Sequence, residues 1–227
     1  MNNLLGDPRI ASVLAELHAL SDRQSRSLRL LSIARRLGAR LGLPVKLERP
    51  AVRKLLSNKL AALDQDKARF CYLLCRAVGA RRVVEVGTSF GVSTIYLAAA
   101  VRENGDDGVV IGTEWEAAKV SAARGNLRRA GLGDVVEVRE GDVRDTLRDV
   151  GGEVDFVLMD IWAPLARQAL DLLTPQLGRG ATVVCDNVVR FRREYRDYLE
   201  LVRHPANGFQ SATLPFAGGF ELSIWWP

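Results

Sequence analysis

Three charged positions stand where their neighbours argue against a charge. Asp160 closes the apolar run "VDFVLM", Asp186 and Asn187 close "ATVVC", and Glu85 interrupts "RRVVEVG" two residues before Gly87. A carboxylate at the end of a buried strand needs a partner, because an isolated buried charge is costly. Two carboxylates and an amide oxygen form an all-oxygen set of the kind that hard divalent cations such as Mg²⁺, Mn²⁺ or Ca²⁺ prefer. A cation there would offset the repulsion between Asp160 and Asp186. The competing reading makes Asp160 a helix cap and Asp186-Asn187 a turn.

The stretch "EVGTSFGVST" offers different chemistry. Gly87 and Gly91 permit a tight turn, and Ser93-Thr94 open a helix whose free N–H groups would face a ligand. Dinucleotide-binding loops have GxGxxG spacing. Here the spacing is Gly87-x-x-x-Gly91 with bulky Phe90 inside, and Glu85 would repel a phosphate. A cationic ligand carrying an ammonium and a sulfonium suits the acid better. Glu114 ends the next strand, 114 − 87 = 27 positions after Gly87, where a carboxylate can accept both ribose hydroxyls. Asp142 ends the one after, where an adenine amino group could be read. Each signal is weak alone, and four in order at one sheet edge weigh more.

These positions require strands that end side by side. From about residue 60, β-branched runs alternate with segments of helical spacing, which predicts five strand–helix units and a mostly parallel sheet covered on both faces. The helices are "VSTIYLAAAVREN", "EAAKVSAARGNLRRAGL" closed by Gly131, the short "VRDTLRDVGG", "PLARQALDLLTPQLGRG" and "FRREYRDYLELVRHP". "FQSATLPF" and "FELSIWW", separated by Gly218-Gly219, predict a closing antiparallel hairpin at the sheet edge. Residues 1–60 carry Leu, Arg and Ala at helical spacing, broken by Gly42, Pro44 and Pro50, and predict a helical extension that serves as a lid or a dimer surface. Residues 61–227 form the ligand-binding domain.

Composition narrows the function classes. The 227 residues carry a net charge of +5, which is compatible with a nucleic-acid partner without requiring one; the arginines are scattered and no aromatic-interleaved basic motif occurs. No apolar run is long enough for a membrane span, and the first residues lack the basic and apolar regions of a signal peptide, so a cytoplasmic protein is expected. The three cysteines, Cys71, Cys75 and Cys185, lack CxxC spacing and read as buried free thiols.

Together "VVEVGTSFGVSTIYLA", "IGTEWEAAKVSAARGNLRRAGL", "EGDVRDTL", "VDFVLMDIW" and "TVVCDN" resemble the class I S-adenosylmethionine-dependent O-methyltransferases of the catechol and caffeoyl-CoA type. The resemblance spans about residues 60–227. It implies a Rossmann-like seven-stranded sheet with an antiparallel last strand, S-adenosylmethionine as cofactor and a small hydroxylated molecule as acceptor. Carried over by position, Glu85 and the Gly87-Thr88-Ser89 turn would lie near the methionine part of the cofactor, with Ser93 holding its carboxylate. Glu114 would bind the ribose. Trp115, Asp142 and Val143 would surround the adenine, with Trp162 packed against it, and Leu63 would add a backbone contact. Asp160, Asp186 and Asn187 would hold Mg²⁺ or another divalent ion, which orients the hydroxyl and lowers its pKa.

One departure bears on mechanism. The resembled enzymes commonly place a general-base lysine three positions after the strand-four aspartate, and this chain has Ala163. Either a metal suffices alone, another group substitutes, or the reaction differs. Lys67 is the replacement the resemblance offers; its alternative is a solvated lysine beside Asp64 and Asp66. His204 reads as a surface residue at a helix end and His18 as an exposed residue of the extension. Trp225 and Trp226 read as packing or interface residues, and with the extension they point to a homodimer. The competing functions are a nucleic-acid methyltransferase, against which stands the lack of a DPPY or NPPY motif, and a non-catalytic cofactor-binding protein.

Overall fold

The computed structural model describes residues 6–40 and 62–227, the side chains of 25–40 excepted. The expected breaks at Gly42, Pro44 and Pro50, and the junction at 60–61, lie outside the described residues.

The chain order is α1 (Pro8–Arg40), α2 (Gln65–Ala77), β1 (Arg82–Val86), α3 (Val92–Asn104), β2 (Val109–Glu114), α4 (Ala117–Arg129), β3 (Val136–Glu140), α5 (Val143–Thr146), β4 (Val154–Met159), α6 (Ala166–Leu173), β5 (Leu177–Asp186), α7 (Arg196–Arg203), β6 (Phe209–Leu214) and β7 (Phe220–Trp225). The seven strands form one sheet in the order β3-β2-β1-β4-β5-β7-β6. β1 to β5 pair in parallel, and β7 runs antiparallel to both β5 and β6. β7 therefore lies inside the sheet and β6 forms the edge.

β1 and β4 are neighbours although β2 and β3 come between them in sequence, so the strand order reverses at this pair. A crevice opens outside the carboxyl ends of strands at such a point, and ligands bind there. Register sets the contents of the crevice. Val86 pairs with Met159, and Met159 with Cys185, so the next residue in each chain segment, Gly87, Asp160 and Asp186, stands beside the others.

Each sheet face has its own apolar core. One holds Val83, Val110, Phe156 and Leu158 against α2, α3 and α4, and α1 adds Ile10, Val13, Leu14 and Leu17. The other holds Val84, Val157, Met159 and Val183 against α6 and α7. Alternate residues of each strand supply the two cores, as the period-two geometry of a strand requires. α3 is buried along most of its length because it is covered by α1 on one side and the sheet on the other. Gly91 starts it in the left-handed region at φ +83°, and Gly131 turns the chain after α4 at φ +71°. All three cysteines are buried free thiols, as expected.

Three expectations change. The helix expected to run to Gly180 ends at Leu173; Thr174–Gln176 form a 3-10 turn around Pro175, and β5 begins at Leu177. The helix expected over "FRREYRDYLELVRHP" is confined to Arg196–Arg203, because the Val189 and Arg190 N–H groups both donate to the Gly218 carbonyl, at 2.9 Å each, and hold the chain in turns. His18 is half-buried, with Nε2 3.1 Å from the Tyr96 hydroxyl, so it ties α1 to α3 rather than facing water.

Candidate active site

The crevice between β1 and β4 opens into a cleft of about 480 Å³. Gly87, Ser89, Glu114, Trp115, Asp142, Val143, Asp160 and Trp162 all line it. A smaller recess beside it is lined by Leu63, Thr88 and Ser93. Every position expected to contact a cofactor, Glu85 excepted, therefore borders one of two adjoining spaces. Glu85 lies fully buried beneath them.

The glycine turn is shaped by close approach. Gly87 has φ +103°, and a Cβ there would fall 2.1 Å from the Asp160 carbonyl oxygen. Only glycine permits that contact at that φ. The Gly87 and Thr88 N–H groups donate to the Thr113 carbonyl, which ties the turn to β2. Glu114 braces it from the side: one carboxylate oxygen accepts from Ser89 N–H and the other from Glu116 N–H, both at 2.9 Å. Trp115 and Trp162 are 65% and 74% exposed, so neither packs in the core, and their indoles are free to cover a flat ligand. Asp142 caps α5 by accepting from Arg144 N–H at 2.8 Å. The hydrogen bonds from the Arg144 side chain and backbone hold its carboxyl down at about 2.

Glu85 is the least compensated group. The Thr94 hydroxyl donates to its Oε2, while Oε1 is buried without a partner. Burial raises its carboxyl, against the lowering influence of the nearby Ser93, Thr94 and Thr88 hydroxyls, of which Thr94 donates to it. The neighbouring Thr88 Oγ1 is also buried and unpartnered. An orphaned buried carboxylate oxygen costs about 1–3 kcal/mol or more, and a donor or cation arriving there recovers it. The sequence marks Thr94 only as part of the helix start; its hydroxyl's contact with Glu85 appears in the structure alone.

At the ends of β4 and β5 the acids divide into one that is free and one that is engaged. Among the described residues nothing hydrogen-bonds the Asp160 carboxylate. Burial raises it well above the usual carboxylate range, Asp186 and Glu85 raise it further, and Lys67 opposes them. Asp186 is engaged on both oxygens. Oδ1 accepts from Lys67 Nζ and from Asn187 N–H at 2.7 Å, and Oδ2 accepts from Asn187 Nδ2 at 2.8 Å. Lys67 is buried, 3% exposed, because it shares the inner face of α2 with Cys71 and Cys75 at successive i+4 steps. It is not the solvated lysine that its acidic neighbours allowed. Its ammonium also donates to the Ala217 carbonyl at 2.6 Å and lies 5.7 Å from the Phe220 ring centre. An ammonium that donates to a carboxylate cannot also take a proton. Ala163 is buried under the crevice floor.

The expected metal ligands therefore meet in space, but they do not stand open to a divalent ion. Both Asp186 oxygens are taken, the Asn187 amide nitrogen is turned toward Asp186, and its Oδ1 faces Gly218, where a Cβ would fall 2.5 Å away. Among the described residues no group of three or more His, Cys, Asp or Glu side chains is spaced to hold a metal ion. The cleft itself suits an S-adenosyl cofactor better: Glu114 at the β2 end and the exposed Trp115 and Trp162 line it, with Glu85 buried beneath.

A parallel sheet with a β1–β4 switch point, an acid before the glycine turn and a second acid ending β2 define a class I methyltransferase fold. Residues 84–188 match the model of a methyltransferase domain, from β1 through the residues that follow β5. The catechol O-methyltransferase of Mycobacterium tuberculosis is 39% identical over 130 residues, 57% of this chain and 58% of that protein, so this chain spans well under two thirds of that relative. Among solved structures, cofactor-bound Rv0187 from MTB is 28% identical with a TM-score of 0.71, covering 98% of this chain and 92% of that one. A putative O-methyltransferase from Klebsiella pneumoniae is 25% identical with a TM-score of 0.70, covering 98% and 91%. Residues 84–188 thus carry a methyltransferase domain, and the chain is similar in sequence and fold to O-methyltransferases.

Proposed function

We propose that this protein transfers a methyl group from S-adenosylmethionine to a hydroxyl oxygen of a small molecule. The observation that carries the reading is the charge at the β1–β4 crevice. Asp160 lies near Asp186, Glu85 and the single ammonium of Lys67, so the acids outnumber the cation, and Glu85 Oε1 is orphaned beneath the glycine turn. Such a site favours a ligand with fixed positive charge over a phosphate. The cofactor, when bound, supplies an activated methyl group for in-line displacement by oxygen.

The protein's task is to hold and orient. Glu114 would accept the ribose hydroxyls with its remaining lone pairs while it braces Ser89. Trp115 and Val143 would enclose the adenine, with Trp162 on the other side of the cleft. Ser93, at the start of α3, would hold the cofactor carboxylate with the helix N–H groups. Asp160, the carboxylate here that no group hydrogen-bonds, would take the proton of the acceptor hydroxyl. The 39% identity to a protein named catechol O-methyltransferase supports oxygen as the nucleophile and a small acceptor.

Calorimetry with S-adenosylhomocysteine tests the reading directly. Saturable binding by the wild type, clearly weakened in Glu114→Ala with circular dichroism unchanged, is the expected result. A wild type that binds neither S-adenosylhomocysteine nor S-adenosylmethionine would refute it.

A further inference from the structure

Lys67 is the one buried cation at the crevice edge among the described residues, and its surroundings are built for it. Its side chain reaches from α2 across to the β5 end, where it meets Asp186 Oδ1, the Ala217 carbonyl at 2.6 Å and the face of Phe220 at 5.7 Å. These three partners come from different segments, since Ala217 and Phe220 lie on the hairpin loop and β7. Asp186 is locked in turn by both nitrogens of Asn187, whose backbone adopts φ +61°, a conformation that non-glycine residues seldom take. The positive φ is what brings backbone and amide N–H groups to one carboxylate. Two of the three ammonium protons are thus committed, and one remains.

We infer that the Lys67 ammonium is the resident cation of this acidic edge, occupying by charge and by hydrogen bonding the role that a divalent ion would otherwise fill between Asp160 and Asp186. Three consequences follow from elementary electrostatics. The fixed charge repels an incoming dication, and it also withdraws an Asp186 oxygen from coordination. It keeps two neighbouring aspartates tolerable in a dry site without an exogenous ion. Its remaining N–H can meet a single acceptor oxygen, so a second, adjacent oxygen to complete a chelate is not required. The last consequence rests on the methyl-transfer reading; the first two do not.

The test compares Mn²⁺ binding, followed by electron paramagnetic resonance and calorimetry, in the full-length wild type, Lys67→Met and Lys67→Arg. Lys67→Met removes the charge at similar length and one of the two hydrogen bonds to Asp186 Oδ1, so Mn²⁺ should bind at least about tenfold tighter than in the wild type. Lys67→Arg keeps the charge and should stay like the wild type. A lysine that only supports the fold would change stability in Lys67→Met without creating a metal site. Equal or weaker Mn²⁺ binding by Lys67→Met overturns the inference. Should that variant fail to fold, wild type and Asp160→Asn decide alone. An Mn²⁺ site in the wild type that Asp160→Asn abolishes overturns it, and a wild type that gives the same weak Mn²⁺ response as Asp160→Asn supports it. S-adenosylhomocysteine binding, measured in parallel, separates the outcomes, because its absence in the wild type counts against methyl transfer and leaves the Mn²⁺ comparison standing.

Discussion

Replacing Gly87 by alanine probes the contact on which the crevice depends. The substitution adds one carbon, which would sit 2.1 Å from the Asp160 carbonyl oxygen and 2.9 Å from its carbonyl carbon. Ordinary contact begins near 3.4 Å, so the β1 and β4 ends must separate by 3.4 − 2.1 = 1.3 Å or deform. Backbone yields less readily than the tip of a side chain. A non-glycine residue at φ +103° adds about 1–3 kcal/mol of strain, and overpacking adds about 1–3 kcal/mol more. The sum, about 2–6 kcal/mol, is a large share of a typical folding free energy, and corresponds to a fall in Tm of about 4–24 °C at this chain length. Gly91→Ala is the control. It also has positive φ, but its Cβ would meet Ala123 no nearer than 3.3 Å, with the backbone atoms at 3.4 and 3.6 Å. Urea denaturation and thermal melting of both variants, with and without S-adenosylhomocysteine, measure the difference. The reasoning is wrong if Gly87→Ala melts no lower than Gly91→Ala, or if it binds the cofactor product as tightly as wild type.

Other substitutions test other parts of the structure. Glu114→Ala loses two charge-assisted hydrogen bonds within the turn and the ribose acceptor, and should weaken S-adenosylmethionine binding by roughly 10- to 100-fold by calorimetry. Glu85→Gln removes a charge that burial penalises. Because the folded carboxyl is raised, the wild type loses stability as pH climbs through the interval between its unfolded and folded values, and the variant should melt higher than wild type at neutral pH while binding the cofactor more weakly. Glu221 has the opposite sign. Burial would raise it, but hydrogen bonds from Arg203, Thr213 and Ser211 outweigh burial and hold it below its ordinary 4.5. Its contribution is present above that value and lost as pH falls through the folded one, so the urea stability gap between wild type and Glu221→Gln should narrow under acid conditions. Ala163→Lys, which restores the family's base by position, places a long charged chain at a buried position and should lower Tm; a rise would show that the β4 end is looser than its packing implies.

The sheet was legible because each strand is bounded by glycine or a charged residue and each helix has a clear period. β5 was read short because Gly178 and Gly180 look like loop residues, yet they lie within β5, in the register shift between the Val154–Leu177 and Phe156–Thr182 pairs. The turns after Asn187 were missed because their cause, the Gly218 carbonyl, comes about 30 residues later. His18 and Lys67 carried a signal that was not used. His18 stands four positions after buried Leu14, and Lys67 four before buried Cys71, so each shares an apolar face that predicts burial. The strand-end acids announced themselves by violating apolar runs. Which of them would be free and which engaged depended on Lys67 reaching Asp186 across 119 positions, and no local pattern encodes that.

The placement of β7 has a consequence for how the protein is made. β5 is complete at Asp186, but the strand that covers its open side, β7, does not end until Trp225, with β6 produced in between and set farther out. During synthesis the backbone of Val183, Val184 and Cys185 must wait for partners 221 − 185 = 36 to 223 − 183 = 40 residues downstream, with β6 made first. A ribosome that stalls in this interval leaves an unsatisfied hydrophobic strand, so the stretch between Asn187 and Phe220 is where nascent chains are most exposed to mispairing and most dependent on protection by chaperones.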